Sequence, residues 1–169
     1  VLGAGESGVG AAVLAKKKGY EVFVSDKGSV KEKYKEVLWH HGIEWEEGKH
    51  SEERILNADE VVKSPGIPEK VDLVQQLLKK GIAVISEIEF ALRYTKAKVI
   101  GITGTNGKTT TTLLTHYILE QAGLDVILAG NVGQSLAMQL AEKDADFIVL
   151  ELSSFQLDGM FQSRINIAA

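Results

Sequence analysis

Cysteine is absent from the 169 residues of this chain. That excludes a disulfide framework, a thiol nucleophile and a cysteine zinc site, and it suits a reducing cytosol. Positive charge is in short supply too: 19 Lys and Arg against 23 Asp and Glu leave a net charge of −4. No general attraction to nucleic acid or to an anionic membrane follows from that balance, so any bound anion must be held locally. No hydrophobic run approaches the roughly 18 residues of a membrane span, and no stretch has the pattern of a signal peptide. Proline occurs only twice, beside 17 Gly, 44% hydrophobic and 25% charged residues. This is the composition of an ordinary globular protein, long enough for one large domain or two small ones. The expectations are a cytoplasmic monomer with neither a nucleic-acid nor a membrane partner.

One pattern recurs four times: a helical stretch, a Gly, then a short β-rich run. It places Gly19 before Glu21–Val24, Gly42 before Ile43–Trp45, Gly81 before Ile82–Ile85, and Gly123 before Val126–Leu128. A Gly past a helix supplies its left-handed cap, and helix, cap and strand repeated at this spacing predict βαβ units with a parallel sheet. Ser86-Glu87-Ile88-Glu89 fits a capping box that opens a helix running to about Arg93. Lys98–Ile102 then reads as a new strand before a second glycine-rich loop. We place a boundary there, dividing the chain into a Rossmann-like parallel-sheet domain (1–94) and part of a P-loop α/β domain (95–169), although one continuous sheet would also fit. The first glycine loop follows only Val1 and Leu2, whereas such strands have about five residues; the expectation is that the natural N-terminus has been lost.

The second loop, Gly104-Thr105-Asn106-Gly107-Lys108-Thr109-Thr110, is the most specific feature. Its glycines let backbone N–H groups close around phosphate oxygens at a helix start. Lys108 can reach terminal phosphates, and the Thr109 hydroxyl can bind Mg²⁺. The strict pattern wants a Gly where Ile102 stands. In the helix that follows, Leu113, Leu114, Tyr117 and Ile118 share one face. Glu151 ends the aliphatic run Phe147–Leu150, a position suited to holding Mg²⁺ and equally common for a solvated strand cap. Gly3-Ala4-Gly5-Glu6-Ser7-Gly8, with Asp26 at the next strand's end, fits a dinucleotide fingerprint. Taken alone it suggests NAD or FAD, yet Glu6 would repel a pyrophosphate, and a plain tight turn also fits. Ser64-Pro65-Gly66 and Gly130-Asn131-Val132-Gly133 lie at strand ends, as ligand loops or as mere turns. His40, His41, His50 and His116 have no metal-ligand spacing, and Trp39 and Trp45 read as core or helix-packing residues.

Together these residues resemble the Mur ligase family, whose phosphate loop has the form Thr-Gly-Thr-Asn-Gly-Lys-Thr, with the Ile included. Ser64-Pro65-Gly66-Ile67, Gly130–Gly133 and Glu151-Leu152-Ser153-Ser154-Phe155-Gln156-Leu157 are similar to the branch that adds D-glutamate to UDP-N-acetylmuramoyl-L-alanine. The resemblance implies an ATP- and Mg²⁺-dependent, ADP-forming ligase of cell-wall precursor synthesis. It implies that Glu6, Ser7, Gly8, Asp26, Lys27, Ser64, Pro65 and Gly66 meet the UDP-sugar, and that Gly104 to Thr110 cradle ATP. Lys108 would serve the terminal phosphates, Thr109 and Glu151 the metal, and Asn131, Ser153 and Gln156 the muramoyl-alanine end, with Lys108, Glu151 and Asn131 closest to the chemistry. It further implies a third domain absent from this chain, which alone is then expected to bind ligands without joining them. An oxidoreductase, a non-catalytic nucleotide-binding module, and sibling ligases including the folate polyglutamate ligases are the alternatives.

Overall fold

The computed structural model describes all of residues 1–169. In chain order, α1 (Glu6–Lys17), β1 (Phe23–Asp26), α2 (Glu32–His40), β2 (Glu44–Glu47), the single turn α3 (Glu52–Ile55), β3 (Glu60–Val62), α4 (Asp72–Lys79) and β4 (Ala83–Ile85) form the first unit. After α5 (Glu87–Leu92) follow β5 (Lys98–Ile102), α6 (Lys108–Gln121), β6 (Val126–Gly130), α7 (Leu136–Glu142), β7 (Phe147–Glu151), α8 (Ser154–Leu157) and the two-residue β8 (Ile167–Ala168). The four predicted caps are present: Gly19, Gly42, Gly81 and Gly123 all have φ between 60° and 88°.

Every strand pairing is parallel. β1 pairs with β2 and β3 with β4, while Leu2 bridges in parallel to both Ser25 and Lys63. The short segment Val1–Gly3 is thus the centre of a sheet ordered β2, β1, Val1–Gly3, β3, β4, tied by Leu2 N–H to Val62 O and Gly3 N–H to Ser25 O, both at 2.8 Å. A separate sheet has the order β6, β7, β5, β8. No backbone ladder joins the two, so the continuous-sheet alternative is not what forms.

Helices do join them. One core cluster takes Ala11 and Leu14 from α1, Ile88, Phe90 and Ala91 from α5, and Leu136, Ala137 and Leu140 from α7. It packs these against Val62 and Ile85 of the first sheet and Val99, Ile148 and Leu150 of the second. The crossing is closest where a Cβ at Gly10 would lie 2.0 Å from Ser135 Oγ, so only glycine lets α1 pass the start of α7 at this distance. On the outer faces, Leu73, Val74 and Leu77 of α4 cover Leu2 and Val61, and Leu119 of α6 packs on Ile100, Ile102 and Val149.

Three local expectations need correction. Trp39, read as a packing residue, is 76% exposed on α2, and only Trp45 packs against a core. The apolar face of α6 looks outward: Leu113, Leu114, Tyr117 and Ile118 are 44% to 57% exposed, while the sheet side presents buried Thr112 and partly buried Leu119. The capping box at α5 is half formed. Ser86 Oγ accepts the Glu89 N–H at 3.0 Å, but the Glu89 carboxylate leaves the cap to accept three amides of a distant loop.

Candidate nucleotide and substrate cleft

At the first glycine loop, a Cβ at Gly8 would fall 1.9 Å from Gly3 O, so the turn closes only with glycine there. Asp26 holds this loop in place: Oδ2 accepts Ala4 N–H at 2.6 Å and Oδ1 accepts Gly28 N–H at 2.8 Å. Both carboxylate oxygens of Asp26, a residue expected to meet the UDP-sugar, therefore already serve backbone amides. Glu6, whose charge was expected to repel a pyrophosphate, reaches away, and its Oε1 accepts Ser135 N–H at the start of α7 at 3.2 Å. Ser64 Oγ donates weakly to Gly3 O at 3.5 Å, and Lys27 is exposed.

The second loop leaves β5 at Ile102, which is buried in the strand opposite Glu151. An apolar residue thus replaces the motif's usual Gly because it is core. Gly104 and Gly107 take positive φ (135° and 76°), Gly107 as the N-cap of α6. Lys108 Nζ donates to Gly104 O at 2.7 Å, folding the ammonium over the loop where phosphate oxygens would lie. The first four amides of an α-helix have no partner within it, so the start of α6 offers donors to an anion.

Glu151, 1% exposed, ends β7 between Ile102 and Gly130 in register. Its Oε1 accepts Asn131 Nδ2–H at 2.8 Å, and its Oε2 is buried with no partner. An orphaned carboxylate oxygen is costly unless something positive reaches it. A hard cation meets that need, and an exposed hydroxyl at Thr109, one residue into the phosphate-loop helix, adds a second oxygen donor. The chain has no cluster of three or more His, Asp or Glu side chains that could hold a metal ion by themselves.

Between the two sheets, at the carboxyl ends of β3, β6 and β7, lies a cleft of about 980 Å³. It gathers Ser7, Pro65 and Gly66 from the first unit with Asn131, Ser153 and Gln156 from the second. Open parallel sheets bind ligands at this edge. Glu6, Gly8, Asp26, Lys27, Ser64 and the loop 104–110 are not among its lining residues. Ser153 and Gln156 also bond each other, as the two halves of a capping box on α8: Ser153 Oγ accepts Gln156 N–H and Gln156 Oε1 accepts Ser153 N–H.

Two charged residues outside the expected ligand set, Lys63 and Glu87, line this cleft, and Glu89 stands on the same short helix as the second of them. Glu87 is buried, and Oε1 accepts Ser135 Oγ–H at 2.7 Å and Ala137 N–H at 2.6 Å. Burial pushes its carboxyl above the ordinary range, with help from the nearby Glu6 charge and against those two hydrogen bonds. Glu89 accepts the amides of Phe161 and Ser163 at 3.0 and 3.1 Å and of Gln162 at 3.2 Å. Burial pulls its carboxyl upward, but these bonds outweigh burial and hold it below its usual value. Their partners lie 48 to 74 residues ahead in the chain, so no local pattern could mark them.

A strand, a Gly-Lys-Thr loop, a helix start and a strand-end acid define a phosphate-loop nucleotide-binding protein, here joined to a second parallel-sheet unit across a shared cleft. The chain belongs to the Mur ligase family: residues 1–73 match the MurD N-terminal domain and residues 102–168 the Mur ligase middle domain. The UDP-N-acetylmuramoylalanine--D-glutamate ligase of Bacteroides fragilis is 63% identical over 99% of this chain and 38% of its own length. That of Bacteroides thetaiotaomicron is 62% identical with the same coverage. The chain therefore spans well under half of these relatives. Among solved structures, the UDP-N-acetylmuramate:L-alanyl-gamma-D-glutamyl-meso-diaminopimelate ligase from Neisseria meningitides superposes with a TM-score of 0.58 at 27% identity, over 89% of this chain and 50% of that one.

Proposed function

We propose that this chain carries the UDP-substrate-binding domain (1–94) and part of the ATP-binding domain (95–169) of a ligase that adds D-glutamate to UDP-N-acetylmuramoyl-L-alanine, releasing ADP, in cytoplasmic peptidoglycan precursor synthesis. The observation that carries the reading is the cleft itself, which sets Ser7, Pro65 and Gly66 opposite Asn131, Ser153 and Gln156. The relatives' names add the chemistry. We propose no nucleic-acid partner, in keeping with the net charge of −4; no helix is long and apolar enough to cross a membrane.

In the proposed reaction the substrate's terminal carboxylate attacks the γ-phosphorus of ATP, the bond to ADP breaks, and an acyl phosphate forms. The amine of D-glutamate then displaces phosphate and leaves an amide. Phosphoryl transfer of this kind asks chiefly for positioning and charge stabilisation. Lys108, whose Nζ donates to Gly104 O, would exchange that oxygen for those of the terminal phosphates and neutralise their charge. Glu151 Oε2 and Thr109 would hold Mg²⁺, which supplies charge neutralisation between the phosphates. Asn131, held by Glu151, faces the cleft as a substrate donor or acceptor. The chain spans 38% of the named relatives, and we propose that it grips both ligands without completing the amide bond.

Binding of UDP-N-acetylmuramoyl-L-alanine, Mg²⁺-ATP and NAD, measured side by side by calorimetry, tests the reading. The first two are expected to bind and NAD is not. NAD binding without the UDP-sugar would return the first loop to an oxidoreductase.

A further inference from the structure

Lys63 closes the pairing of β3 with the central segment, immediately before Ser64-Pro65-Gly66. Its own N–H donates to Ile85 O, and the next residue's N–H donates to Leu2 O, both at 2.9 Å. The side chain thus departs from backbone fixed on two sides. It folds over the turn, with Nζ donating to Ile67 O at 2.6 Å, and lines the wall of the cleft.

This ammonium is half-buried yet takes part in none of the chain's five ion pairs. Glu69 and Asp158 attract it from beyond contact distance, and burial outweighs them, lowering its pKa. Ile67 O satisfies one of its three protons, and no other protein acceptor meets the rest. A cation stripped of water without a paired carboxylate is destabilising, and an incoming oxyanion removes that cost.

Two neighbours suit a diphosphate over a carboxylate. Ser7, at the start of the twelve-residue α1, lines the same cleft, and no side chain caps that helix end. Glu6, the acid nearest that end, is engaged with Ser135. Carboxylate activation, by contrast, belongs near Lys108 and Glu151 on the other sheet.

We infer that Lys63 is a specificity-determining residue for the nucleotide end of the substrate, its ammonium pairing with the diphosphate of a uridine-diphosphate sugar laid over the Ser64-Pro65-Gly66 turn. The inference rests on the substrate class proposed above.

Titrating this chain with UDP-N-acetylmuramoyl-L-alanine, uridine, inorganic pyrophosphate and Mg²⁺-ATP tests it. Lys63→Met is expected to weaken the UDP-sugar and pyrophosphate by roughly ten- to a hundredfold, the range for losing a charged hydrogen bond. Uridine and ATP should bind as before, Lys63→Arg should recover most of the loss, and Lys70→Met, removing an exposed lysine of the same wall, should change little. UDP-sugar affinity unchanged in Lys63→Met would overturn the role of the lysine while leaving the substrate class intact. An equal loss for uridine and ATP would overturn it too, as a folding defect. Wild-type pyrophosphate binding that depends on Lys63, with no uridine nucleotide bound, would keep the anion site and overturn the substrate class.

Discussion

Glu87 and Glu89 stand two residues apart on one turn of α5, and their surroundings drive them in opposite directions. Glu87 is buried with only Oε1 bonded, so its ionised form is penalised and its folded pKa lies above 4.5. As pH falls through that raised value, the folded state takes up a proton before the unfolded chain does, and the penalty fades. Glu87→Gln keeps the bonded oxygen and never carries the charge. Its thermal midpoint relative to wild type should therefore be highest near pH 8 and converge towards wild type near about pH 4. Glu89 is held below 4.5 by three amides, so its stabilisation is present above that pH and is lost as pH falls through the folded value. Glu89→Gln should cost about 2–3 kcal/mol at neutral pH, shrinking in acid. Matching pH trends for the two variants in thermal melts would contradict these assignments. Ser86 as a cap was legible because its partner is three residues away. The real partners of the two acids were not, since α7 and the 161–163 loop lie 48 to 74 residues further along the chain.

At the scale of elements, the four glycine caps and the phosphate loop were legible because each is a local bargain between φ, a helix end and a following strand. The inward face of α6 was not. Periodicity points to Leu113, Leu114, Tyr117 and Ile118 as one face, but the row on the sheet is Thr112 and Leu119. The orientation is set by the loop that delivers Lys108 and by the sheet beneath, so the apolar face is left in solvent. Thr112 Oγ1 is then buried without a partner. Thr112→Val, which removes that hydroxyl at nearly constant shape, should raise stability by about 1 kcal/mol in urea unfolding. A loss of stability would mean that the hydroxyl has a partner that matters.

Across the whole molecule, two strand-loop-helix starts were legible from two glycine motifs, but not the layer between them. That layer depends on Gly10 meeting Ser135 and on Leu14 and Leu140 sharing one core cluster, pairings more than 120 residues apart that no local pattern encodes. It brings Ser7, Pro65 and Gly66 of the first unit to one cleft with Asn131, Ser153 and Gln156 of the second, the phosphate loop lying outside that lining. Lys108 lies outside the layer and bonds only Gly104 O, so its loss should stay local. The most direct test compares wild type with Lys108→Ala, titrating each with UDP-N-acetylmuramoyl-L-alanine and with Mg²⁺-ATP. ATP affinity is expected to fall by roughly a hundredfold, as charge-assisted bonds to the terminal phosphates disappear, while UDP-substrate affinity stays nearly intact. Loss of both together, or a wild-type chain that binds ATP but no UDP-substrate, would contradict it.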